Sequence, residues 1–378
     1  MQYKKNFIII VLICTILGIF FALLNNELVI IKDDNNSNNK FLRKKNNGNN
    51  EKYTNEEKIE RRNIIPIAIN IDNNYYLQAI VFLTSLLENI GPKTKYEIYI
   101  MISDQFNNKA KKNIDSLMTK YGKEKLYIKY INMKYSFREA IINEYISTAA
   151  YYRLLLPSLL PSIDKIIYSD CDVINFEDLS DMYNLKLRDN IYFRGFLDFF
   201  SHTDELLEYG LYSDMYINSG ILLMNLKSLR INAIENELIE LCNTEMLNHH
   251  DQTAINLVCS GHLEKLPIKF AIFKFESYSD LVKYNNEQKK KYRYSEKELK
   301  EAYYSPVNLH YAGFDKPWNH KGIKFEEYWW YYAKISDFYE EILYTFEYSD
   351  WIVDKILERI PKNDGFIRFK QTSKKLSF

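Results

Sequence analysis

The feature that most constrains the fold is a regular alternation of apolar runs of strand length with stretches of helical spacing. Residues 64–71, IIPIAINI, form a continuous apolar run that ends in the turn-forming sequence DNN, and residues 75–90 carry apolar side chains at helical spacing. Two further strand-like runs, 96–103 and 126–133, flank a polar stretch of helical spacing at 105–121. Alternating strands and helices are typical of βαβ units, so the sequence predicts an α/β protein with a mainly parallel sheet flanked by helices.

Two aspartates end another predicted strand. The run IDKIIYSDCDVI, residues 163–174, places Asp170 and Asp172 two positions apart, so both side chains lie on one face of an extended chain. Adjacent carboxylates repel each other, and a divalent cation such as Mg²⁺ or Mn²⁺, which prefers oxygen ligands, removes that conflict. A solvated turn is the alternative, because a D-x-D pattern arises by chance about once in such a chain. Asp72 also follows a predicted strand, and ligands of open α/β sheets bind at such strand ends, which favours the metal site.

The charge and cysteine content restrict the class of protein. The chain contains 50 Lys and Arg against 50 Asp and Glu, so no basic field favours nucleic acid as a partner. The cysteines, Cys14, Cys171, Cys242 and Cys259, form no C-x-x-C pair, so neither a disulfide framework nor a zinc site is expected. The charged, lysine-rich residues 276–302 indicate an exposed or mobile segment.

The N-terminal residues are predicted to lie outside the globular domain. Residues 7–24, FIIIVLICTILGIFFALL, carry no charge and are long enough to span a bilayer, so residues 1–24 are expected to be a cytoplasmic tip and a transmembrane signal-anchor. A cleaved signal peptide is the alternative, but no clear small-x-small cleavage site follows. Residues 25–62 include a stretch rich in Asn, Lys and Glu and are expected to form a polar stalk. The predicted location is therefore a membrane, crossed once by the N-terminal helix.

Seven motifs in order resemble those of glycosyltransferase family 8. They span most of residues 64–322 and read INIDNNY, STAAYYRL, IIYSDCDVI, FLDFF, YINSGILLMNL, HHDQTAIN and HYAGFDKPWNH. The family contains retaining enzymes that use nucleotide sugars, among them bacterial lipopolysaccharide galactosyl- and glucosyltransferases and glycogenin. The resemblance implies a GT-A type nucleotide-diphospho-sugar transferase fold, with the catalytic domain at 63–335 and a helical, basic C-terminal tail at 336–378.

The resemblance implies a site for a metal and a diphosphate. Asp170, Asp172 and His310 would hold Mn²⁺ or Mg²⁺, which bridges the two phosphates of the bound nucleotide sugar. Gly313 would let the backbone approach the diphosphate closely, and Lys316 would neutralise its charge as UDP leaves. A lone histidine is more often structural, so the neighbouring Gly-x-x-Lys sequence and the resemblance carry the assignment of His310.

The resemblance also assigns residues that would bind the nucleoside and the sugar or phosphate of the donor. Asp72 and Asn74 would contact the uracil and the ribose. Plain turn chemistry is the alternative, and the position after the first predicted strand favours binding. Arg153 lies one predicted helix before the aspartate pair and would hold the sugar or a phosphate. The alternative for Arg153 is an exposed arginine on a helix.

The implied sugar pocket contains Asp198, Asn218, Asp251 and Gln252. Asp198 interrupts the apolar FLDFF, where a buried charge needs a partner that sugar hydroxyls would supply. Asn218 is also consistent with a turn, and Asp251 with a helix cap. In this family the residue that matches Gln252 lies near the anomeric carbon, opposite the leaving group. An amide is a poor nucleophile, so front-face transfer with retained α configuration is favoured, and double displacement stays open. The predicted catalytic residues are Gln252, Asp198 and Lys316.

The sequence therefore predicts a metal-dependent, retaining hexosyltransferase that moves galactose or glucose from a UDP-sugar to a glycan or glycolipid acceptor. The alternatives are a non-catalytic nucleotide-sugar or glycan-binding module on the same fold and a metal-dependent phosphohydrolase, against which the HYAGFDKPW motif argues. The expected acceptor is a cell-envelope glycan such as lipopolysaccharide. The order of anchor, stalk and body fits a bacterial inner-membrane enzyme and a Golgi enzyme of type II orientation equally well.

Overall fold

The computed structural model describes residues 63–133, 148–200 and 215–360. The predicted anchor at 1–24 and stalk at 25–62 lie outside the described residues, as does the end of the predicted tail. The strands of the described part are β1 (Asn63–Asn70), β2 (Thr94–Ile102), β3 (Leu126–Asn132), β4 (Ile166–Ser169), β5 (Val173–Asn175), β6 (Phe193–Leu197), β7 (Ile217–Met224), β8 (Leu263–Lys265), β9 (Ile272–Phe273) and β10 (Asn308–His310).

The larger sheet has seven strands in the order β3-β2-β1-β4-β7-β6-β8. The strands β3, β2, β1 and β4 are parallel, whereas β7 runs antiparallel to both β4 and β6. The chain leaves β1 for β2 and β3 and then returns to place β4 on the other side of β1. The strand order thus reverses between β1 and β4, which is where open α/β sheets form a ligand-binding crevice.

The buried faces of the central strands explain why these residues form a sheet. Ile67, Ala68 and Ile69 are consecutive residues of β1 whose side chains alternate between its two faces, and all three are fully buried, as expected for a parallel strand covered on both faces. The following helix, Tyr76–Glu88, is buried along almost its whole length. A continuous apolar run, rather than an alternating one, is therefore the correct sequence signal for this strand.

A second, three-stranded sheet joins distant parts of the chain in the order β5-β10-β9. The strand β10 is antiparallel to β5, and His310 pairs with Val173 in this ladder. In addition, the N–H of Tyr311 donates a hydrogen bond of 2.9 Å to the carbonyl of Asp172. This pairing brings the HYAGFDKPW segment next to the aspartates that follow β4.

The helices surround these sheets. A 3₁₀-helix covers Thr148–Leu155, within the stretch 147–160 that the motif STAAYYRL opens, and a second one covers Ile268–Phe270. The α-helices of the described part are Tyr76–Glu88, Asn108–Tyr121, Leu156–Leu159, Ser180–Tyr183, Leu226–Ile231, Ile234–Thr244, His250–Val258, Tyr278–Glu287, Glu296–Tyr304, Glu326–Ile335, Tyr339–Thr345 and Asp350–Leu357.

The structure differs from the sequence-based expectation for residues 276–302. This charged segment forms helices whose buried residues include Leu281 and Leu299, so it is anchored to the core on one side. A capping box at the start of the second helix joins Ser295 and Glu298. Of the lysines in this segment, Lys283, Lys297 and Lys300 lie at exposed positions of the two amphipathic helices. The other three, at 289–291, are exposed in the connection between the helices, so the expectation of an exposed segment holds for the lysines themselves.

The C-terminal helices pack on the same hydrophobic core as the sheet. Trp330 is fully buried in helix Glu326–Ile335, and its ring lies 4.3 Å from that of Tyr348, centroid to centroid. The hydroxyl of Tyr76 donates a hydrogen bond of 2.6 Å to Glu341. Side chains beyond residue 335 therefore contribute to the packing of the body.

The prediction of a single-pass membrane protein requires correction. Within residues 63–133, 148–200 and 215–360, no helix combines the length and the apolar character needed to cross a membrane. The apolar run at 7–24 lies outside those residues, so the structure gives the anchor no support and we do not retain the predicted location.

Candidate active site

Asp170, Asp172 and His310 meet at the carboxyl end of β4. Each offers one ligand atom, and these atoms all lie within 4.8 Å of one another. His310 Nε2 is 3.2 Å from Asp172 Oδ1, and both residues are buried. Among the described residues, none donates a hydrogen bond to this buried Oδ1. Two carboxylates and an imidazole that converge in this way form a donor set suited to a divalent cation.

Gly220 in β7 makes room for this cluster. A Cβ at this position would lie 2.3 Å from Cε1 of His310 and 2.9 Å from Oδ2 of Asp170, distances that real Cβ atoms do not adopt. The carbonyl of Gly220 also accepts a hydrogen bond of 2.7 Å from the N–H of Asp170, which fixes the two strands at this spacing. Only glycine therefore fits beside the two side chains.

Lys316 adds positive charge to the same cluster. Its ammonium donates to Oδ2 of Asp172 and, at 2.6 Å, to the carbonyl of Tyr311. Burial alone would raise the pKa of Asp172, but Lys316 and His310 beside it hold that pKa well below its usual range. Gly313, at the turn of the same loop, has a φ of +89°, a left-handed conformation that favours glycine. The loop thus delivers a lysine to an aspartate that stays ionised.

Arg153 joins two carboxylates of the site. Its guanidinium lies 3.0 Å from Oδ1 of Asp170 and 3.2 Å from Oδ2 of Asp251. It also donates a hydrogen bond of 2.6 Å to the carbonyl of Ser219. Burial raises the pKa of Asp251 to about 6, while the charge of Arg153 acts in the opposite direction. Arg153 is thus a buried counter-ion of both carboxylates, and its direct contact with a sugar or phosphate stays a prediction.

Gln252, Asn218 and Asp198 form one hydrogen-bond network. Nε2 of Gln252 donates to Oδ2 of Asp198 at 3.0 Å. Oε1 of Gln252 accepts hydrogen bonds from Nδ2 of Asn218 at 2.9 Å and from the N–H of Ser219 at 3.1 Å. Because both ends of the amide have partners, the protein sets its orientation. The residues predicted for the sugar pocket are therefore neighbours, with Asp251 next to Gln252 in the same helix.

Asp72 and Asn74 form the turn after β1. Oδ1 of Asp72 accepts hydrogen bonds from the N–H of Asn74 at 2.8 Å and from that of Tyr75 at 3.1 Å, which is the turn chemistry named as the alternative. Asn74 is exposed, and Tyr75 directs its ring towards Trp318, with centroids 6.2 Å apart. Burial, followed by the charge of Asp172, raises the pKa of Tyr75 to about 12. The turn thus lies close to the metal cluster, and its contacts with a nucleotide stay a prediction.

Comparison with known proteins identifies the family. The family model of glycosyl transferase family 8 matches residues 66–322, which is more than half of the chain. The chain belongs to glycosyltransferase family 8. The resemblance seen in the motifs is therefore confirmed.

Two relatives of this family 8 glycosyltransferase are similar over about the same length. General stress protein A of Bacillus subtilis (strain 168) is 25% identical over 274 residues, which cover 69% of this chain and 90% of the relative. Lipopolysaccharide 1,2-glucosyltransferase of Escherichia coli is 25% identical over 271 residues, which cover 69% of this chain and 75% of the relative.

A solved structure supports the fold. Galactosyltransferase LgtC, in complex with donor and acceptor sugar analogues, superposes with a TM-score of 0.59 at 21% identity, covering 72% of this chain and 96% of LgtC. The predicted GT-A type α/β fold, with a mixed sheet between helices, is therefore confirmed.

Sequence reasoning missed two contributors to the site of this family 8 glycosyltransferase. Gly220 follows Asn218, for which a turn was the alternative, and was assigned no role, although a glycine inside an apolar strand indicates a close approach of other groups. Tyr168 was not singled out, yet its hydroxyl donates to Oδ1 of Asp170 at 2.8 Å and contacts the side-chain amide of Asn70, and the centre of its ring lies 4.1 Å from the guanidinium of Arg153. The sequence feature that could have indicated a polar contact here is Asn70, a polar residue at the end of an apolar strand.

The residues present fit a divalent cation. The Asp172 oxygen that receives no hydrogen bond from the described residues is an uncompensated buried acceptor, and such an atom costs free energy until a cation binds it. The space kept open by Gly220 lies against the His310 and Asp170 side chains. A potential metal site is thus present in this family 8 glycosyltransferase.

Proposed function

We propose that the protein is a metal-dependent, retaining hexosyltransferase that moves galactose or glucose from a UDP-sugar to a glycan acceptor. The observation that carries the proposal is the convergence of Asp170, Asp172, His310 and Lys316 at the end of β4. In a family 8 chain, a metal triad beside a lysine is suited to binding and releasing a diphosphate.

The relatives support a hexose as the group transferred. The Escherichia coli relative is a lipopolysaccharide 1,2-glucosyltransferase, and LgtC is a galactosyltransferase. We propose UDP-glucose or UDP-galactose as the donor and a cell-envelope glycan, such as lipopolysaccharide, as the acceptor. The crevice between β1 and β4 is where the nucleotide would bind, with Asp72 and Asn74 towards the uracil and ribose and the partly exposed ring of Tyr75 beside them.

The charges at the end of β4 favour departure of UDP. Lys316 donates a hydrogen bond to a phosphate oxygen and stabilises the negative charge that develops as the glycosidic bond breaks. Gly313 lets the main chain of the loop approach the same phosphates. A divalent cation held by Asp170, Asp172 and His310, which we propose to be Mn²⁺ or Mg²⁺, supplies further positive charge to the diphosphate when bound.

The sugar pocket orients the hexose. Asp198 and Asn218 offer an acceptor and a donor to sugar hydroxyls, and they hold Gln252 by hydrogen bonds of 3.0 and 2.9 Å. Asp251 is fixed by Arg153 and would accept a hydrogen bond from another hydroxyl. We propose that Arg153 acts on the donor by holding Asp170 and Asp251 in place.

The hydrogen bonds of Gln252 support front-face transfer. Its amide is neutral, and Oε1 already accepts hydrogen bonds from Asn218 and Ser219, which lowers its nucleophilicity. Asp251 is paired with Arg153 and Asp198 with Gln252, so both carboxylates of the pocket are engaged. The acceptor hydroxyl would then attack from the side on which UDP leaves, and the α configuration is retained.

The decisive experiment measures UDP release by the full chain from a panel of UDP-sugars, with Mn²⁺, with Mg²⁺ or with EDTA. Asp172→Asn is compared with Asp181→Asn, which changes an exposed aspartate of helix Ser180–Tyr183. We expect metal-dependent release from one hexose donor, lowered about 100-fold or more by Asp172→Asn and unchanged by Asp181→Asn.

Two other outcomes discriminate between the remaining functions. Metal-dependent binding of UDP without release from any sugar, with lipopolysaccharide or oligosaccharide acceptors present, would identify a non-catalytic binding module. Absence of metal-dependent UDP binding in calorimetry would contradict the glycosyltransferase proposal.

A further inference from the structure

A second lysine, Lys274, lies beside the loop that carries Lys316. It directly follows β9, in which Phe273 pairs with His310 of β10. Its ammonium donates a hydrogen bond to the carbonyl of Asp315, the residue before Lys316. Two lysines from distant parts of the chain thus converge on one loop, one carried by that loop and the other bound to it.

The charges around Lys274 are consistent with an anion site. Burial lowers the pKa of Lys274, and the positive charge of Lys316 lowers it further, while Asp315 and Asp172 act in the opposite direction. The two ammonium groups are therefore close enough to repel each other. An anion with several negative oxygens removes this repulsion, as a diphosphate does.

The hydrogen-bonding capacity of the two ammonium groups supports the same assignment. An ammonium has three N–H donors. Within the described part of the chain, Lys316 uses two of them, on Asp172 and Tyr311, whereas Lys274 uses one, on Asp315. Lys274 thus retains more donors for a ligand than the lysine that the motif identifies.

We propose that Lys274 is a second cationic ligand of the donor's diphosphate and stabilises departing UDP together with Lys316. The inference rests on the proposed function, which it deepens by assigning a further residue to the leaving group. In the transfer step the bond between the anomeric carbon and the β-phosphate oxygen breaks, and its electron pair stays on that oxygen. The acceptor hydroxyl oxygen forms the new bond to the anomeric carbon, and its proton passes to the departing β-phosphate. Lys274 donates a hydrogen bond to the diphosphate without giving up its proton.

A series of nucleotides separates charge neutralisation from support of the loop. The full chain, saturated with Mn²⁺, is titrated with UDP, UMP and uridine in a calorimeter, as wild type and as Lys274→Gln and Lys274→Arg. Glutamine keeps a hydrogen-bond donor but removes the charge, and arginine keeps the charge. We expect Lys274→Gln to weaken the binding of UDP about tenfold, to weaken that of UMP less and to leave that of uridine unchanged. Lys274→Arg should retain most of the affinity for UDP.

Lys265 provides a matched control. It is also partly buried, its pKa is also lowered by burial, and its ammonium donates to main-chain carbonyls at 3.0 and 2.8 Å, those of Tyr292 and Arg293. The carboxylate that acts on it is Glu298 rather than a residue of the metal cluster. Lys265→Gln should therefore leave the affinity for all three nucleotides unchanged.

The outcomes distinguish the inference from the proposed function. If wild type binds UDP no better than uridine, the proposed function fails. If wild type binds UDP tightly and Lys274→Gln binds it equally well, only the role of Lys274 fails. Equal losses for UDP and uridine would show that Lys274 supports the loop and would also overturn the inference.

Discussion

Replacement of Gly220 by alanine tests how the metal cluster is built. The added methyl group would lie 2.3 Å from Cε1 of His310, whereas ordinary contacts begin at 3.4 Å. His310 must therefore move by about 1 Å, or β7 must move away from Asp170. Either response separates the ligand atoms of Asp170, Asp172 and His310 without changing any of them.

The expected loss of metal affinity is large. A displacement of about 1 Å in a catalytic group costs about 100-fold, and loss of support for a metal ligand costs about 10- to 100-fold. At a Mn²⁺ concentration about 100 times the wild-type Kd, bound metal stabilises the fold by about 2.7 kcal/mol. A Kd about 100-fold weaker leaves about 0.4 kcal/mol of that stabilisation at the same concentration.

The assay is thermal or urea unfolding of the full chain, with Mn²⁺ or with EDTA, and Gly195→Ala is the matched control. A Cβ at Gly195, in the neighbouring strand β6, would lie 2.9 Å from the carbonyl of Asn218 and 2.9 Å from a side-chain atom of Ile217. That variant should therefore lose stability in EDTA but keep the stabilisation by Mn²⁺. Gly220→Ala should lose most of the stabilisation by Mn²⁺ itself.

The reasoning is refuted if Gly220→Ala is stabilised by Mn²⁺ as strongly as wild type. In that case the cation binds elsewhere, or the cluster tolerates a methyl group between His310 and Asp170. If both glycine variants lose the effect of Mn²⁺ equally, the loss reflects general distortion of the sheet and not the position of the ligands.

Three further predictions concern stability. The pKa of Asp251, raised from 3.8 to about 6 by burial, means that the folded state binds more protons than the unfolded state between about pH 4 and 6. The free energy of unfolding, measured in urea at each pH, should therefore fall by about 3 kcal/mol for wild type relative to Asp251→Asn as the pH rises through this window. A chain ending at Ile335 would uncover Trp330, which packs on Tyr348, and should lose cooperative thermal unfolding. Trp351→Ala, at a position 70% exposed, should leave the melting temperature unchanged.

Local patterns predicted most of the sheet because the central strands are buried on both faces. The runs at 64–71 and 96–103 contain almost only residues that suit a covered strand, and β1 and β2 lie within one or two residues of them. The type of helix in the stretch 147–160 was harder to predict. Apolar residues at helical spacing occur both in the 3₁₀-helix Thr148–Leu155 and in the short α-helix that follows it. Periodicity alone does not separate these two kinds of helix.

The metal ligands were predictable as residue types, but their supporting residues were not. Asp170 and Asp172 stand two apart after an apolar run, which indicated a shared site; the structure places them in the bend between β4 and β5, outside both strands, where their ligand atoms still converge. The need for Gly220 arises only when β7 lies beside β4 and β10 delivers His310, which are pairings between distant parts of the chain. A glycine inside an apolar run indicates a close approach, but no local pattern says which groups approach it.

The two oxygens of Asp172 serve different cations. Oδ2 is bound by Lys316, which arrives with the HYAGFDKPW loop, and Oδ1 faces Nε2 of His310, which β10 positions. A metal ion at Oδ1 therefore does not require Lys316 to leave, and the lysine can move to a phosphate when the nucleotide sugar binds. Because Lys316 neutralises Asp172 before the donor arrives, the site avoids an unpaired buried carboxylate in either state. Under the proposed function the same lysine would then neutralise the leaving group, so one side chain would link the stability of the free protein to catalysis.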